Sequence, residues 1–350
     1  VAMAAHVDNE LAQANACWAL GRIGAGMPES VSNMLEHGLI SQIKVAMGPL
    51  FENEHVQAHA CSVLDSIADA IPESVSNMLE HGLISQIKVA MAAHVKGPHV
   101  QANAISALAK IGIGLPESVS EMVERGLISQ IKVAMAAHAD SAYVQNNACT
   151  ANTMPESVSQ MVEHGLISQI KVAMAAHVEN VRVQTDAAVC LARIAHAMPE
   201  SVSEMMEHGL ISQIKVAMAA HVDNELAQAN ACWALGRIGA GMPESVSNTL
   251  EHGVISRIKV AMAAHVENEH VQAHACSVLD SIADAMPESV PKMLEHGLIS
   301  QIKVAMAAHV KGPHVQANAI SALAKIGIGL PESVSEMVER GLIFQIKELM

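Results

Sequence analysis

The sequence predicts an all-α solenoid of about eight three-helix repeats, and three observations predict it. The tripeptide PES recurs at Pro28, Pro72, Pro116, Pro155, Pro199, Pro243, Pro287 and Pro331, at a spacing of 44 that falls once to 39. A period in the forties belongs to helical repeats with two or three helices per unit. A glycine follows each PES at a fixed distance, at Gly38, Gly82, Gly126, Gly165, Gly209, Gly253, Gly297 and Gly341. Half of the 350 residues (51%) are hydrophobic but only 1% are aromatic. The interior is therefore built from Ala, Val, Ile, Leu and 22 Met, which suits closely packed helices.

Each repeat resolves into three helical segments. The first runs from Pro28 to Leu35: Pro and Glu favour a helix start, and Val31, Met34 and Leu35 fall at helical spacing. Gly38 is expected to end it in the left-handed conformation, which costs glycine nothing. The second helix follows with Leu39, Ile40, Ile43, Ala46 and Met47 on its apolar side. Asp8-Asn9 then offers an N-cap for a longer third helix. In the first unit its apolar stripe is Ala12, Ala16, Leu20 and Ile23, with Gly24 and Gly26 closing the helix.

The segment EHGLISQIKVAMAAHVDNELAQANACWALGRIGAG resembles an armadillo repeat: a short first helix, a glycine turn, a second helix, and a third reading VQ-x-x-A-x-W-A-L-x-N-I-A. The likeness covers essentially residues 1–350, read as one armadillo-like array. HEAT-like repeats are the nearest alternative, and the glycine-separated short first helix favours the armadillo pattern. The resemblance implies a right-handed superhelix whose third helices line a concave face and hold protein or peptide partners. The sequence starts inside a second helix and stops after another, so incomplete units at both ends point to a longer array or to end-to-end self-association.

Three departures and one duplication break the regularity. NNACTANTMPES shortens the fourth unit by much of its third helix, so a bend or loosened joint is expected near residues 140–155. Gly48-Pro49 replaces two residues of the usual AAHV and should end that second helix early. Pro291 stands where other units have Ser and is expected to push the start of its helix forward. Residues 7–30 recur unchanged as 222–245, an offset of 215 that reads as recent duplication or as an engineered array.

Asn15, Trp18 and Arg22 share a third-helix face distinct from the apolar stripe. The equivalent columns hold His59, Asn103, Asp186, Asn230, His274 and Asn318 at the first position. They hold Ser62, Ser106, Trp233, Ser277 and Ser321 at the second, and Lys110, Arg193, Arg237 and Lys325 at the third. In the family the Trp and an Asn four residues later hold peptide; here Trp survives at Trp18 and Trp233, while the matching Asn is replaced throughout. What remains is a polar ladder with five basic residues on a chain of formal charge -15. The expected partner is another protein or an extended polar or acidic peptide, and the acidic balance disfavours nucleic acid and anionic membrane surfaces.

No other chemistry stands out. The histidine columns at His37, His81, His164, His208, His252 and His296, and at His6, His94, His138, His177, His221, His265 and His309, suit helix ends. Residues of one column stand about 10 Å apart on stacked helices, too far to share an ion. The pairs His55/His59 and His270/His274, at i,i+4, are the better candidates for weak metal binding, although the sequence supplies no evident third ligand. Asp65 and Asp280 are read as solvated carboxylates, and no nucleophile elbow or phosphate loop is present. No cofactor is expected. The six cysteines lack metal-ligand spacing and fit small buried thiols in a reducing, cytoplasmic setting. The leading expectation is a non-enzymatic binding scaffold. A structural or engineered array without an evolved ligand is the alternative.

Overall fold

Among the described residues, the glycine turn and the asparagine caps set the boundaries of the repeat's helices. The computed structural model describes residues 2–27, 29–151, 162–163, 165–241 and 253–339. The chain forms two compact units, Val1–Ala176 and His177–Met350. In the first, the third helices are Glu10–Gly26, Glu54–Ala70, Pro98–Gly114 and Ala142–Ala151. In the second they are Val181–Ala197, Glu225–Ala240, Glu269–Ala285 and Pro313–Gly329. Within each unit successive third helices stack on one another more extensively than on the other helices of their own repeat.

The seven described repeat glycines all adopt positive φ, between 69° and 87°. At Gly82 nothing lies within 4 Å of an added Cβ, so a side chain there would meet only backbone strain. Gly82→Ala should therefore lower unfolding stability by about 1–2 kcal/mol in urea titration. Gly82→Asn should lose less, because asparagine tolerates the left-handed region. Equal losses for both would refer the effect to something other than φ.

Behind the glycine the second helix buries the residues its pattern marked: Leu39, Ile40, Ile43, Ala46 and Met47 are all inside. Burying each large side chain stabilises by roughly 1.5–3 kcal/mol. This helix ends at Met47, two residues before the proline, whereas its equivalents such as Leu83–Ala93 run for 11 residues. The third helix begins on an asparagine whose side chain accepts the backbone N–H three residues on, at Asn9, Asn53, Asn180, Asn224 and Asn268.

The apolar stripe is buried in the interior repeats, as at Val56, Ala60, Leu64 and Ile67. In the first unit it is more open: Ile23 is 36% exposed, against 0% for Ile238 in the duplicated helix. Only one flank of Glu10–Gly26 is covered by another third helix in this chain. The sequence's stripe is thus right for the repeat and overstated for its first copy.

One side-chain ladder braces the helices within each repeat and a second ties neighbouring repeats together. A buried glutamine near the start of each third helix donates to two carbonyls where the second helix ends. Gln57 Nε2 reaches Met47 O and Leu50 O at 3.0 Å each, and Gln101 reaches Met91 O at 2.7 Å and His94 O at 2.8 Å. Gln145, Gln228, Gln272 and Gln316 repeat the bracket. The histidine after the second helix donates from Nε2 to a carbonyl of the preceding repeat. His94 reaches Phe51 O at 2.7 Å, His138 reaches Val95 O, His221 reaches Val178 O and His265 reaches Val222 O.

Two expectations are corrected. Pro291 leaves its helix start unmoved: Val290–Glu295 follows the 3-10 turn Pro287–Ser289, as Val75–Glu80 follows Pro72–Ser74. Proline in the first turn gives up an N–H that has no intrahelical acceptor there. Asp65 is half-buried, not solvated, and accepts Ser106 Oγ at 2.7 Å. The fourth unit's third helix starts at Ala142 and is described as far as Ala151. Residues 152–155 of the expected bend, with Pro28, Pro155, Pro243 and Gly341, lie outside the described residues.

Candidate functional site

The third helices bury Gln, Ala, Cys, Leu and Ile on two sides and leave one polar face open. Asn15, Trp18 and Arg22 all lie on the open face of Glu10–Gly26, and Trp18 is 56% exposed. His59, Ser62, Asn103, Ser106 and Lys110 are half-buried on the next two helices of that unit. In the second unit Arg193 and Arg237 are exposed, and Asp186, Asn230, Trp233, His274, Ser277, Asn318, Ser321 and Lys325 are half-buried. These positions are at least partly open, whereas Asn147, at the equivalent place in the shortened repeat, is buried and donates to Ala102 O at 2.9 Å.

Neighbouring repeats already engage part of this ladder. Asn103 Nδ2 donates to Ala58 O and Asn318 Nδ2 to Ala273 O, each at 2.9 Å, so these amides bind the preceding third helix. Tyr143 Oη donates to Asn103 Oδ1 at 2.7 Å. Lys110 pairs with Asp69 at 2.5 Å and Lys325 pairs with Asp284. The Asp284 carboxylate, by hydrogen bond and charge, holds the Lys325 ammonium above its ordinary pKa. Ser321 Oγ donates to Asp280 at 2.7 Å, matching Ser106 on Asp65. Burial raises the Asp65 carboxyl, while the Ser106 hydrogen bond and the Lys110 charge oppose the rise. Sequence reading saw basic residues and missed these acidic partners, each 41 positions earlier and one helix away.

The second unit concentrates the unusual chemistry. The Trp233 indole and the His274 imidazole stack with centroids 6.2 Å apart and planes 30° apart. Arg237 approaches His196 Nδ1 at 3.4 Å, donating from its guanidinium. Burial, then the nearby His270, Arg237 and His314, lower the His274 pKa, so the ring is neutral near pH 7. His59 shifts the same way from burial, His55 and His99. The structure thus brings a third histidine toward each i,i+4 pair. Even so, among the described residues no three His, Cys, Asp or Glu side chains are placed to hold a metal ion.

All six cysteines are buried, and none is in a disulfide. Desolvation pushes Cys17, Cys61, Cys190, Cys232 and Cys276 up to about 12, far from nucleophilic. No described helix is long and apolar enough to cross a membrane.

No protein-family model matches the sequence, and no curated protein matches it. Solved structures do. A crystal structure of an engineered protein from the Northeast Structural Genomics Consortium aligns with TM-score 0.68 at 19% identity, over 97% of this chain and 91% of that one. A designed armadillo repeat protein aligns with TM-score 0.54 at 22% identity, over 65% of this chain and 93% of that one. At these identities the likeness speaks to the fold alone, and the fold is an all-α, armadillo-like repeat array.

Proposed function

We propose that this repeat scaffold holds a segment of another protein against the open face of its third helices and catalyses no reaction. One observation carries the reading: the Gln, His and Gly positions that brace the repeats are nearly constant, while the open ladder beside them varies from repeat to repeat. A face diversified over a constant frame suits recognition. Arg22, Arg193 and Arg237, exposed on the third helices, carry the attraction for an acidic or polar segment. Six buried thiols fit a reducing compartment such as the cytoplasm.

Panning a library of displayed peptides of about ten residues against the immobilised chain tests this, ten residues being about 33 Å of extended strand. Reproducible enrichment of one sequence class is expected, with affinity falling at least tenfold in the double variant R193E/R237E. Unchanged affinity in that variant removes the ladder as the site. The exact repetition of residues 7–30 at 222–245 favours a second reading, an array without an evolved ligand, for which panning enriches nothing reproducibly.

A further inference from the structure

The furrow between the third helices Glu225–Ala240 and Glu269–Ala285 carries opposite charges at its two ends. Toward the helix N-termini lies a cavity of about 500 Å³, lined by Asp223, Glu225, Asn230 and His270 among others. Toward the C-termini lies one of about 230 Å³, lined by Trp233, Arg237, Ser277, Ser281 and Asn318 among others. His274 borders both, stacked on Trp233, and divides them. Both charged ends are positioned by neighbours. Glu225 Oε2 accepts Asn268 Nδ2 at 2.7 Å, and Arg237 contacts His196 at 3.4 Å.

The furrow has a length. Along an α-helix the step from Glu225 to Arg237 is about 18 Å at 1.5 Å per residue. An extended peptide covers that distance in about five residues at 3.3 Å each. A ligand lying along the furrow would meet an acidic wall at one end, a polar divider, and a cation beside an indole at the other.

The residues that line this furrow occur twice in the chain. Asp8, Glu10 and Arg22 stand 215 positions before Asp223, Glu225 and Arg237, and Trp18 and His59 before Trp233 and His274. The bracing contact is reproduced as well, with Asn53 Nδ2 donating to Glu10 Oε2 at 2.7 Å. The copies differ at the indole: Trp18 is 56% exposed, whereas Trp233 is half-buried.

We propose that each compact unit binds an extended segment lengthwise in this furrow, with a carboxylate side chain at Arg22 or Arg237 and a Lys or Arg side chain about five residues away at the aspartate and glutamate of the opposite end. The inference deepens the recognition proposed above and rests on it. It specifies a zwitterionic segment and two sites per chain. The second unit binds the more tightly, because its indole is already fixed against His274.

The chain's two tryptophans both sit in the furrows, so intrinsic fluorescence reports the sites directly, and W18F and W233F isolate each. The probes are six-residue Ser-spaced peptides with blocked ends: Asp and Lys at opposite termini in either order, the same composition with the two charges adjacent, and Asp at both termini. One of the two spaced orders should saturate the fluorescence change at two peptides per chain. The adjacent-charge and all-acidic peptides should bind at least tenfold more weakly. The triple variant D223K/E225K/R237E, in the W18F background, should exchange the preferred order for the other. Equal binding of all four peptides, no binding by either spaced order, or a stoichiometry of one overturns the furrow. Arg193 lies outside the furrow. If R193E weakens library-selected peptides and R237E does not, the furrow falls while the broader recognition by the ladder stands.

Discussion

Replacing Gln272 by Leu is expected to cost the second compact unit roughly 1–3 kcal/mol, although the two side chains are similar in size. The amide Nε2 donates to Met262 O at 2.9 Å and to His265 O at 2.8 Å, and the residue is only 1% exposed. Met262 O closes the second helix without a backbone N–H of its own, whereas His265 O also accepts the Asn268 N–H at 3.1 Å. Leucine would leave Met262 O buried and unpaired, at about 1–3 kcal/mol, and remove one of two donors from His265 O, offset in part by the transfer gain of an apolar side chain. In a repeat array the loss stays local. Hydrogen exchange should therefore accelerate first between His265 and Gln272, with the urea midpoint falling as well. A change under about 0.5 kcal/mol would mean that water reaches those carbonyls in the folded protein.

That glutamine marks the boundary between what the sequence made legible and what it hid. Legible features depend on periods within one repeat. The glycine turn, the faces of the second helix and the asparagine caps follow from residue type and spacing along one stretch of chain. Hidden features depend on partners one repeat away. His94, His138 and His265 were read as residues suited to helix ends, yet each reaches a carbonyl 43 positions earlier. Lys110 read as an open cation until Asp69 appeared beside it on the next helix. Asp65 read as solvated because nothing in its own helix shows that Ser106 and the neighbouring backbone close over it. Pro291 misled for the opposite reason, since a local rule about proline was applied where the first turn makes it harmless. The ladder's position on the helix was legible. The pairing of Lys110 and Lys325 with aspartates, and the meeting of Trp233 with His274, required the register between helices.

Alkylation of the cysteines should be at least a thousandfold slower in the folded chain than in the unfolded one. Iodoacetamide attacks the thiolate, and burial moves Cys61, Cys190, Cys232 and Cys276 from 9.0 to about 12. Three pH units reduce the thiolate population about a thousandfold at any working pH, before loss of access is counted. The thiols therefore label through opening of the repeats, and each one reports the stability of its own third helix. Cys149 sits in the third helix of the 39-residue repeat, where Cys232 and Cys276 sit in repeats of 44. The five missing residues leave that repeat less apolar surface to hold it closed. Peptide mapping by mass spectrometry after timed labelling in rising urea should find Cys149 modified at lower denaturant than Cys232 or Cys276. If all six label together, the shortened repeat unfolds only with the rest, and the missing turns do not weaken the array at that point. If Cys149 leads, the 39-residue repeat opens before the 44-residue ones, a consequence of deleting five residues, about one and a half turns of helix.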